Sequence, residues 1–284
     1  MHKQGFDIIV QPLEEKAAEQ KKEEALTNIA WLQLVRNELG PALRSTTLSR
    51  VSRDRRGRVW KLCARVQRVA DIQSASTCYF QQLVAKSVAQ KSEANDDISR
   101  DLGRSMPEIA EIASLEGQHR LRRCLSSYAL HNPELGYCQG MNFIAAVLQL
   151  HVPSEADAFW CLDVIVHALI PGGLSRALTG FKVSVLVLCD LAKTLLPDCY
   201  LDLEGLGIPV EDVLGMICPQ WFISLFVNAL PLELVFKFWD VIFLEGSVAV
   251  FQLSLAILES FAQHLEASGE PFPSMAPDYV AQVA

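Results

Sequence analysis

Apolar positions along the chain recur with the spacing of amphipathic helices. Leu121, Cys124 and Leu125 fall on one helical face, and Asn132-Pro133 follows them as a stop signal. Sustained alternation with a period of two is absent, and so are hairpin dipeptides such as Asn-Gly. The pattern therefore predicts an all-α protein.

Further apolar segments predict more helices after residue 140. They read MNFIAAVLQL, SEADAFWCLDVIVHALI, VSVLVLCDLAKTLL, VEDVLGMICPQWFISLFVNAL, LELVFKFWDVIFLEG and AVFQLSLAILESFAQHL. Ser154 is a predicted N-cap, and helix breaks are predicted at 171–173 and 205–209, where Gly and Pro cluster. Residues 86–97 are weakly patterned and predict a loop.

The sequence predicts an N-terminal extension followed by one domain. A charged stretch near the N-terminus runs into ALTNIAWLQLVRNEL, which predicts an N-terminal helical extension over residues 1–45. The remainder, 46–284, is predicted to form a single multi-helix domain that is shortened at its C-terminus. The basic stretch RVSRDRRGRVW near its start is interpreted as a solvated surface.

Composition narrows the possible partners. Half of the 284 residues are hydrophobic, the mean hydropathy is +0.20 and the net charge is −8, so the chain can bury a sizeable core. Residues 181–284 hold 3 Lys or Arg against 13 Asp or Glu, a net charge of −10. Nucleic acid is not an expected partner, because its phosphates would meet like charge there.

One segment has the length of a membrane span. Residues 213–232 carry no charge over twenty positions. Polar residues and prolines interrupt this run at Pro219, Gln220, Asn228 and Pro231. We interpret it as a buried core helix and expect membrane contact to be peripheral at most. The N-terminus also lacks the order of a signal peptide.

Cysteine and motif usage excludes several kinds of site. The eight cysteines include no CxxC pair and no zinc-ligand spacing, which predicts a reduced, cytoplasmic protein without a metal site. P-loop, HExxH and GxSxG motifs are absent. Cys138 with His119 or His131 would be needed for thiol catalysis, but nothing in the sequence marks a low thiolate pKa.

Three short strings contain the residues best suited to chemistry. In chain order they are RGRVW (56–60), ISRDLGR (98–104) and GYCQGMN (136–142). In the second, Asp101 and Arg104 stand three apart and can pair on a helix. In the third, two glycines permit a tight turn that fixes the intervening glutamine. Each string alone is also compatible with a purely structural role.

Taken in order, the strings resemble the TBC domain, the GTPase-activating module for Rab proteins. The shared pattern is R-x-x-x-W, then I-x-x-D-x-x-R, then Y-x-Q-G-M-N, and the similarity continues downstream to about residue 265. The family often shows Gly-Ile-Pro before the first string, where this chain has RVS at 50–52. The resemblance implies a single all-α TBC-type domain.

The resemblance also implies roles for individual residues. Arg104 corresponds to an arginine finger, which stabilises charge on the phosphate in the transition state. Gln139 corresponds to a glutamine finger that positions the attacking water. A neutral amide suits that role because it accepts from water and donates to phosphate at once. The supporting residues implied are Asp101, Tyr137, Arg56, Trp60, Gly140 and Asn142.

The implied partner is a GTP-bound Rab-family small GTPase. GTP and Mg²⁺ would be held by that partner, so the chain needs no cofactor of its own and is a GTPase activator rather than a stand-alone hydrolase. Regulation of vesicle trafficking and recruitment to endomembranes through the partner follow as expectations. A catalytically weak TBC-fold scaffold that binds Rab, and an unrelated helical protein, remain the alternatives.

Overall fold

The computed structural model describes residues 51–67, 77–90, 92–169, 174 and 179–268. Within these ranges the chain forms helices joined by turns and short loops, and no β-strand occurs. The all-α prediction is thereby confirmed for the described part of the chain. The predicted N-terminal extension and the predicted break at 171–173 lie outside the described residues.

Six helices precede residue 152 in the described chain. They are α1 (Arg53–Gln67), α2 (Thr77–Ala89), α3 (Glu93–Leu102), α4 (Ala110–Ala113), α5 (Leu115–His131) and α6 (Met141–His151). The helices that follow are α7 (Glu155–Val164), α8 (Thr179–Leu195), α9 (Pro197–Glu204), α10 (Val210–Ile217), α11 (Pro219–Phe222), α12 (Leu232–Glu245) and α13 (Ser247–Ser268). A π-helical turn, Ile165–Leu169, continues α7.

Helix α6 lies at the centre of the first group of helices. Its sequence MNFIAAVLQLH is apolar around most of its circumference, which is typical of a helix buried on all sides. It packs against α1, α3, α4, α5 and α7. Helix α5 packs against α6. The predicted apolar stripe of α5 is buried at Leu121, Cys124, Leu125 and Tyr128.

The later helices form a second group around α8. This helix packs against α9, α10, α11 and α13, and α12 packs against both α13 and α1. Helix α12 therefore joins the C-terminal helices to the first described helix. Trp221 and Trp239 of this group are fully buried, and Trp60 of α1 packs against Trp239 and Phe243.

Helices α1 and α6 approach each other backbone to backbone. A Cβ atom added to Gly57 would lie 1.8 Å from the carbonyl oxygen of His151. No side chain fits in that space, so glycine is required at this position in spite of its low helix propensity.

Most predicted helix boundaries are confirmed. Helix α5 ends at His131, with Asn132 as its C-cap. The hydroxyl of Ser154 accepts a hydrogen bond from the Asp157 N–H at 3.3 Å and so caps α7. The break at 205–209 is also present, because α9 ends at Glu204 and α10 begins at Val210.

The predicted loop at 86–97 is wrong. Helix α2 continues to Ala89 and α3 begins at Glu93, so the break between them is short. Ser92 caps α3 by accepting from the Asn95 N–H at 3.3 Å. The polar residues that suggested a loop are the cap and first turn of a helix that buries only one narrow face.

The single core helix predicted over 213–232 is also wrong. The segment is divided into α10 and α11, followed by turns that lead to α12. Pro219 begins α11, and Leu225 and Phe226 have positive φ angles of 48° and 65°, which no α-helix contains. Burial is as predicted, since Trp221, Phe222 and Phe226 are all in the core. Among the described residues, no helix has the length and hydropathy needed to cross a bilayer.

Candidate functional site

A cleft of about 410 Å³ lies where the C-terminal end of α3 meets the loop before α6. Two segments of the chain supply its lining. The lining residues are Asp97, Arg100, Asp101, Arg104, Tyr137 and Gln139. The cleft thus brings together the second and third strings singled out in the sequence.

Arg104 occupies the turn that directly follows α3. Its main-chain N–H donates to the Asp101 carbonyl at 3.2 Å, which keeps the turn close to the helix end. The Arg104 Nη2 atom lies 2.7 Å from Asp101 Oδ1, as the spacing of three predicts. The arginine side chain is 52% exposed whereas the aspartate side chain is 9% exposed, so an accessible cation is held by a buried anchor.

Tyr137 holds the other oxygen of the same carboxylate. Its hydroxyl donates to Asp101 Oδ2 at 2.7 Å. Burial, followed by the hydrogen bond to the Asp101 carboxylate, raises the pKa of the Tyr137 phenol well above its usual range. The hydroxyl therefore stays protonated and acts as a donor, which fixes the carboxylate on both sides.

Gln139 is exposed at the tip of a tight loop. The loop turns at two glycines in the left-handed region, Gly136 with φ +64° and Gly140 with φ +103°. The Gly136 N–H donates to the Asn132 carbonyl at 2.7 Å, and the Met141 N–H donates to the Cys138 carbonyl at 3.1 Å. The glutamine is thus presented by an ordered turn, with Gly140 serving as the N-cap of α6.

Asn142 links the two segments behind the cleft. Its Oδ1 accepts from the Gly140 N–H at 3.1 Å, and its Nδ2 donates to Ser105 Oγ at 2.9 Å. The Ser105 hydroxyl donates in turn to the Asp101 carbonyl at 2.7 Å. Asn142 and Ser105 are completely buried, so each of these bonds is protected from water.

The loop also rests on the C-terminal half of the domain. A Cβ atom added to Gly140 would lie 2.6 Å from Ile223 Cγ2 and 2.8 Å from the Ile223 carbonyl oxygen. Any larger residue would meet the main chain that follows α11. Glycine is therefore required here for space as well as for its backbone angles.

Comparison with protein families identifies the family to which the chain belongs. The model of the Rab-GTPase-TBC domain matches residues 53–266, which include both segments that line the cleft. The chain belongs to the Rab-GTPase-TBC domain family. The resemblance noted from the three strings is confirmed.

Relatives of this TBC domain support the assignment. The human Growth hormone-regulated TBC protein 1 is 33% identical over 252 residues, covering 86% of this chain and 72% of that protein. The Emericella nidulans protein AN11010 is 36% identical over 210 residues, covering 74% of this chain. Those residues span only 18% of the Emericella protein's length.

Solved structures support the fold. The Chlamydomonas flagellar RabGAP TBC domain matches with a TM-score of 0.68 and 24% identity, covering 90% of this chain and 84% of that one. The Ypt/Rab-GAP domain of Gyp1p matches with a TM-score of 0.60 and 19% identity, covering 91% and 96%. The described residues thus have the all-α TBC architecture.

Arg56 and Trp60 of the TBC domain are not among the residues that line the cleft. Arg56 Nε donates to both carboxylate oxygens of Asp240 at 2.9 and 3.1 Å, and Trp60 Nε1 donates to Asp240 Oδ1 at 2.8 Å. All three side chains are buried and join α1 to α12. Burial raises the pKa of the Asp240 carboxyl more than the hydrogen bonds and charge of Arg56 lower it.

Sequence reasoning missed three residues near these features. Asp240 was visible as an acid within the apolar string FKFWDVIF, and such a residue requires a partner when its helix is buried. Asp97 and Arg100 line the cleft one helical turn before Asp101 and Arg104. Their signal was the repeated spacing of an acid and an arginine three positions apart.

Proposed function

We propose that this TBC domain accelerates GTP hydrolysis by a Rab-family small GTPase, supplying Arg104 and Gln139 in trans. The observation that carries the proposal is that these two side chains, from separate segments, line one accessible cleft. The partner would hold GTP and Mg²⁺, and this domain would add groups that the partner's own site lacks. Membrane recruitment and an effect on vesicle trafficking would follow from the partner.

Arg104 is suited to stabilise charge on a phosphate. Its guanidinium is always cationic and presents several donors in a plane, which matches phosphate oxygens better than an ammonium group does. In the free protein its Nη2 contacts Asp101, whose side chain is only 9% exposed, whereas the arginine side chain is 52% exposed. The exposed part of the guanidinium is accessible to a phosphate, while the buried Asp101, which also accepts a hydrogen bond from Tyr137, keeps the arginine directed into the cleft.

Gln139 is suited to orient a water molecule. Its amide carbonyl accepts from water and its NH₂ group donates to an oxygen of the phosphate. The two left-handed glycines and the hydrogen bonds of Asn142 fix the loop before a partner arrives. Such preorganisation matters because a displacement of about 1 Å can reduce a rate by about 10²-fold.

The test is single-turnover GTP hydrolysis by a panel of GTP-loaded Rab proteins. The unmodified chain is expected to accelerate at least one of them. Arg104→Ala should remove about 10³-fold of that acceleration, and Arg104→Lys should restore only a small part because it lacks the planar fork. Gln139→Ala should reduce the rate as well. Arg58→Ala, at an exposed arginine of α1 that does not line the cleft, is the matched control.

Binding distinguishes the alternative function. A Rab protein that responds in the hydrolysis assay is loaded with a non-hydrolysable GTP analogue. It should bind Arg104→Ala and Gln139→Ala as tightly as it binds the unmodified chain. Binding of a Rab by the unmodified chain without acceleration would replace the proposal with the scaffold function. If no Rab of the panel is bound or accelerated, both the GTPase-activating function and the scaffold function are contradicted.

A further inference from the structure

The cleft contains a second arginine that the finger mechanism does not use. Arg100 stands on the last turn of α3, four residues before Arg104, and lines the same cleft. Arg104 lies in the turn that follows the helix, two residues beyond Leu102, and both arginine side chains line this one cleft. A partner surface that enters the cleft to reach Arg104 therefore passes close to Arg100.

The two arginines differ in how they are held. Arg104 pairs with an Asp101 side chain that is 9% exposed and fixed by Tyr137. Arg100 pairs through Nη2 with Asp97, and these side chains are 73% and 37% exposed. Arg100 therefore lies at the rim of the cleft, and its exposed pair contributes little to the stability of the fold.

Arg100 keeps donors that its own contacts do not use. Its Nε donates to the Asp96 carbonyl at 3.4 Å, and its Nη2 contacts Asp97 Oδ1. A guanidinium carries five N–H donors in a fixed plane, so its outer edge remains able to bind a second carboxylate with two parallel bonds. The Arg100 side chain is 73% exposed, so these remaining donors are accessible to a partner.

On this basis we infer that Arg100 is a specificity-determining residue that binds an acidic side chain on the partner GTPase, next to its nucleotide site. This inference rests on the proposed GTPase-activating function. A carboxylate is the ligand that matches the remaining donors of Arg100, since a guanidinium binds it with two parallel hydrogen bonds. In the proposed function the phosphate is contacted by Arg104, so Arg100 at the rim would act on encounter and on the choice of partner. Partners with an acidic residue at this place are selected over those with a neutral or basic one.

The experiment measures kcat and KM for a responding GTP-loaded Rab with variants of Arg100. Arg100→Ala should raise KM about fivefold with kcat within about twofold of the unmodified protein, as expected for a rim charge. Arg100→Glu should raise KM further through repulsion, and Arg100→Lys should recover part of the loss because it keeps the charge. Arg58→Ala, which removes the same charge at an exposed site outside the cleft, should leave both constants unchanged.

Salt dependence gives an independent readout. The slope of log(kcat/KM) against ionic strength should be shallower for Arg100→Ala than for Arg58→Ala, because only the former removes an intermolecular charge pair. An unchanged KM and an unchanged slope would overturn the inference. A fall in kcat at constant KM, as for Arg104, would also overturn it by assigning Arg100 to the phosphate. If the unmodified chain accelerates no Rab, the proposed function itself fails, which is a different result.

Discussion

The Tyr137 hydroxyl donates to Asp101 Oδ2 at 2.7 Å, from the loop that carries Gln139 to the helix end that carries Arg104. The other oxygen of the same carboxylate, Oδ1, lies 2.7 Å from Arg104 Nη2. One buried carboxylate is therefore shared between the two segments of the cleft. The relative position of the two candidate fingers depends on it.

Tyr137→Phe tests this shared carboxylate, because it removes the hydroxyl and little else. Asp101 Oδ2 would then be buried without its donor, and we expect the free energy of unfolding to fall by about 1–3 kcal/mol. Stimulation of GTP hydrolysis should fall by about tenfold, since the Asp101 carboxylate that anchors Arg104 would no longer be held at its second oxygen. Urea denaturation and single-turnover hydrolysis measure the two effects. Tyr200→Phe on α9, outside the cleft, is the control, and equal behaviour of the two variants would contradict the prediction.

Gly140→Ala is expected to destabilise the domain by about 1–3 kcal/mol or more, because it combines left-handed backbone with a clash against Ile223. Gly103→Ala is the matched control. Gly103 has φ −64°, and nothing lies within 4 Å of a Cβ added there, so that variant should be neutral or stabilised by up to about 1 kcal/mol. Thermal and urea denaturation of both variants provide the comparison. A Gly140→Ala variant as stable as Gly103→Ala would show that the loop adapts.

Asn142 and Ser105 are expected to be energetically coupled through their buried hydrogen bond. A double-mutant cycle with Asn142→Ala, Ser105→Ala and the double variant should give a coupling free energy of about 1 kcal/mol in unfolding experiments. The coupling arises because either single variant leaves the other side chain buried without its partner. Additive effects of the two substitutions would show that the bond makes no net contribution.

His151 predicts a pH dependence of stability. Burial, followed by the charges of Arg56 and Arg53, lowers the pKa of this imidazole to about 4, from 6.5 in an unfolded chain. Between these values the unfolded state binds a proton that the folded state does not, so stability is complete above about pH 6.5 and falls as the pH decreases toward 4. At pH 5 this contribution alone amounts to about 2 kcal/mol less than at pH 7.

The corresponding measurement compares urea denaturation at pH 7 and pH 5. His151→Leu should lose less stability between the two values than the unmodified protein, because its side chain does not titrate. His119→Leu, at an exposed histidine, should follow the unmodified protein. Identical pH profiles for His151→Leu and the unmodified protein would disprove the assignment.

The candidate site could be predicted to a large extent because its signals are local. The spacing of three between Asp101 and Arg104 predicts their ion pair, although Arg104 lies in the turn just after the helix, and the glycines at 136 and 140 predict a turn that presents Gln139. The contact between Tyr137 and Asp101 has no such signal, because it joins residues 36 positions apart. The resemblance to the TBC domain, rather than local spacing, singled out Arg104 and Gln139 as candidate fingers, and it did not supply their contacts.

The errors in the fold have physical causes. Residues 86–97 were predicted as a loop because this window holds only the last turn of α2 and the first turn of α3, each too short to show periodicity, and because the cap at Ser92 has loop-like composition. The segment 213–232 was predicted as one helix because its apolar composition indicates that it is buried. Composition does not indicate where the chain turns inside the core. The partnership of Arg56 with Asp240 spans 184 positions, so no local pattern reveals it.

Gly57 has a consequence for the whole α1 helix. Because α1 meets the His151 carbonyl with no side chain between them, the separation of these helices is fixed by main-chain atoms and is independent of rotamers. Trp60 stands three residues after Gly57 on α1, and its ring centroid lies 5.4 Å from that of Trp239 and 5.3 Å from that of Phe243. The close approach at Gly57 therefore helps to set the position of Trp60 in the core. Neighbouring side chains can change rotamer to accommodate a substitution among themselves. A larger residue at position 57 would instead push the main chains of α1 and α6 apart, and no change of rotamer could bring them back together.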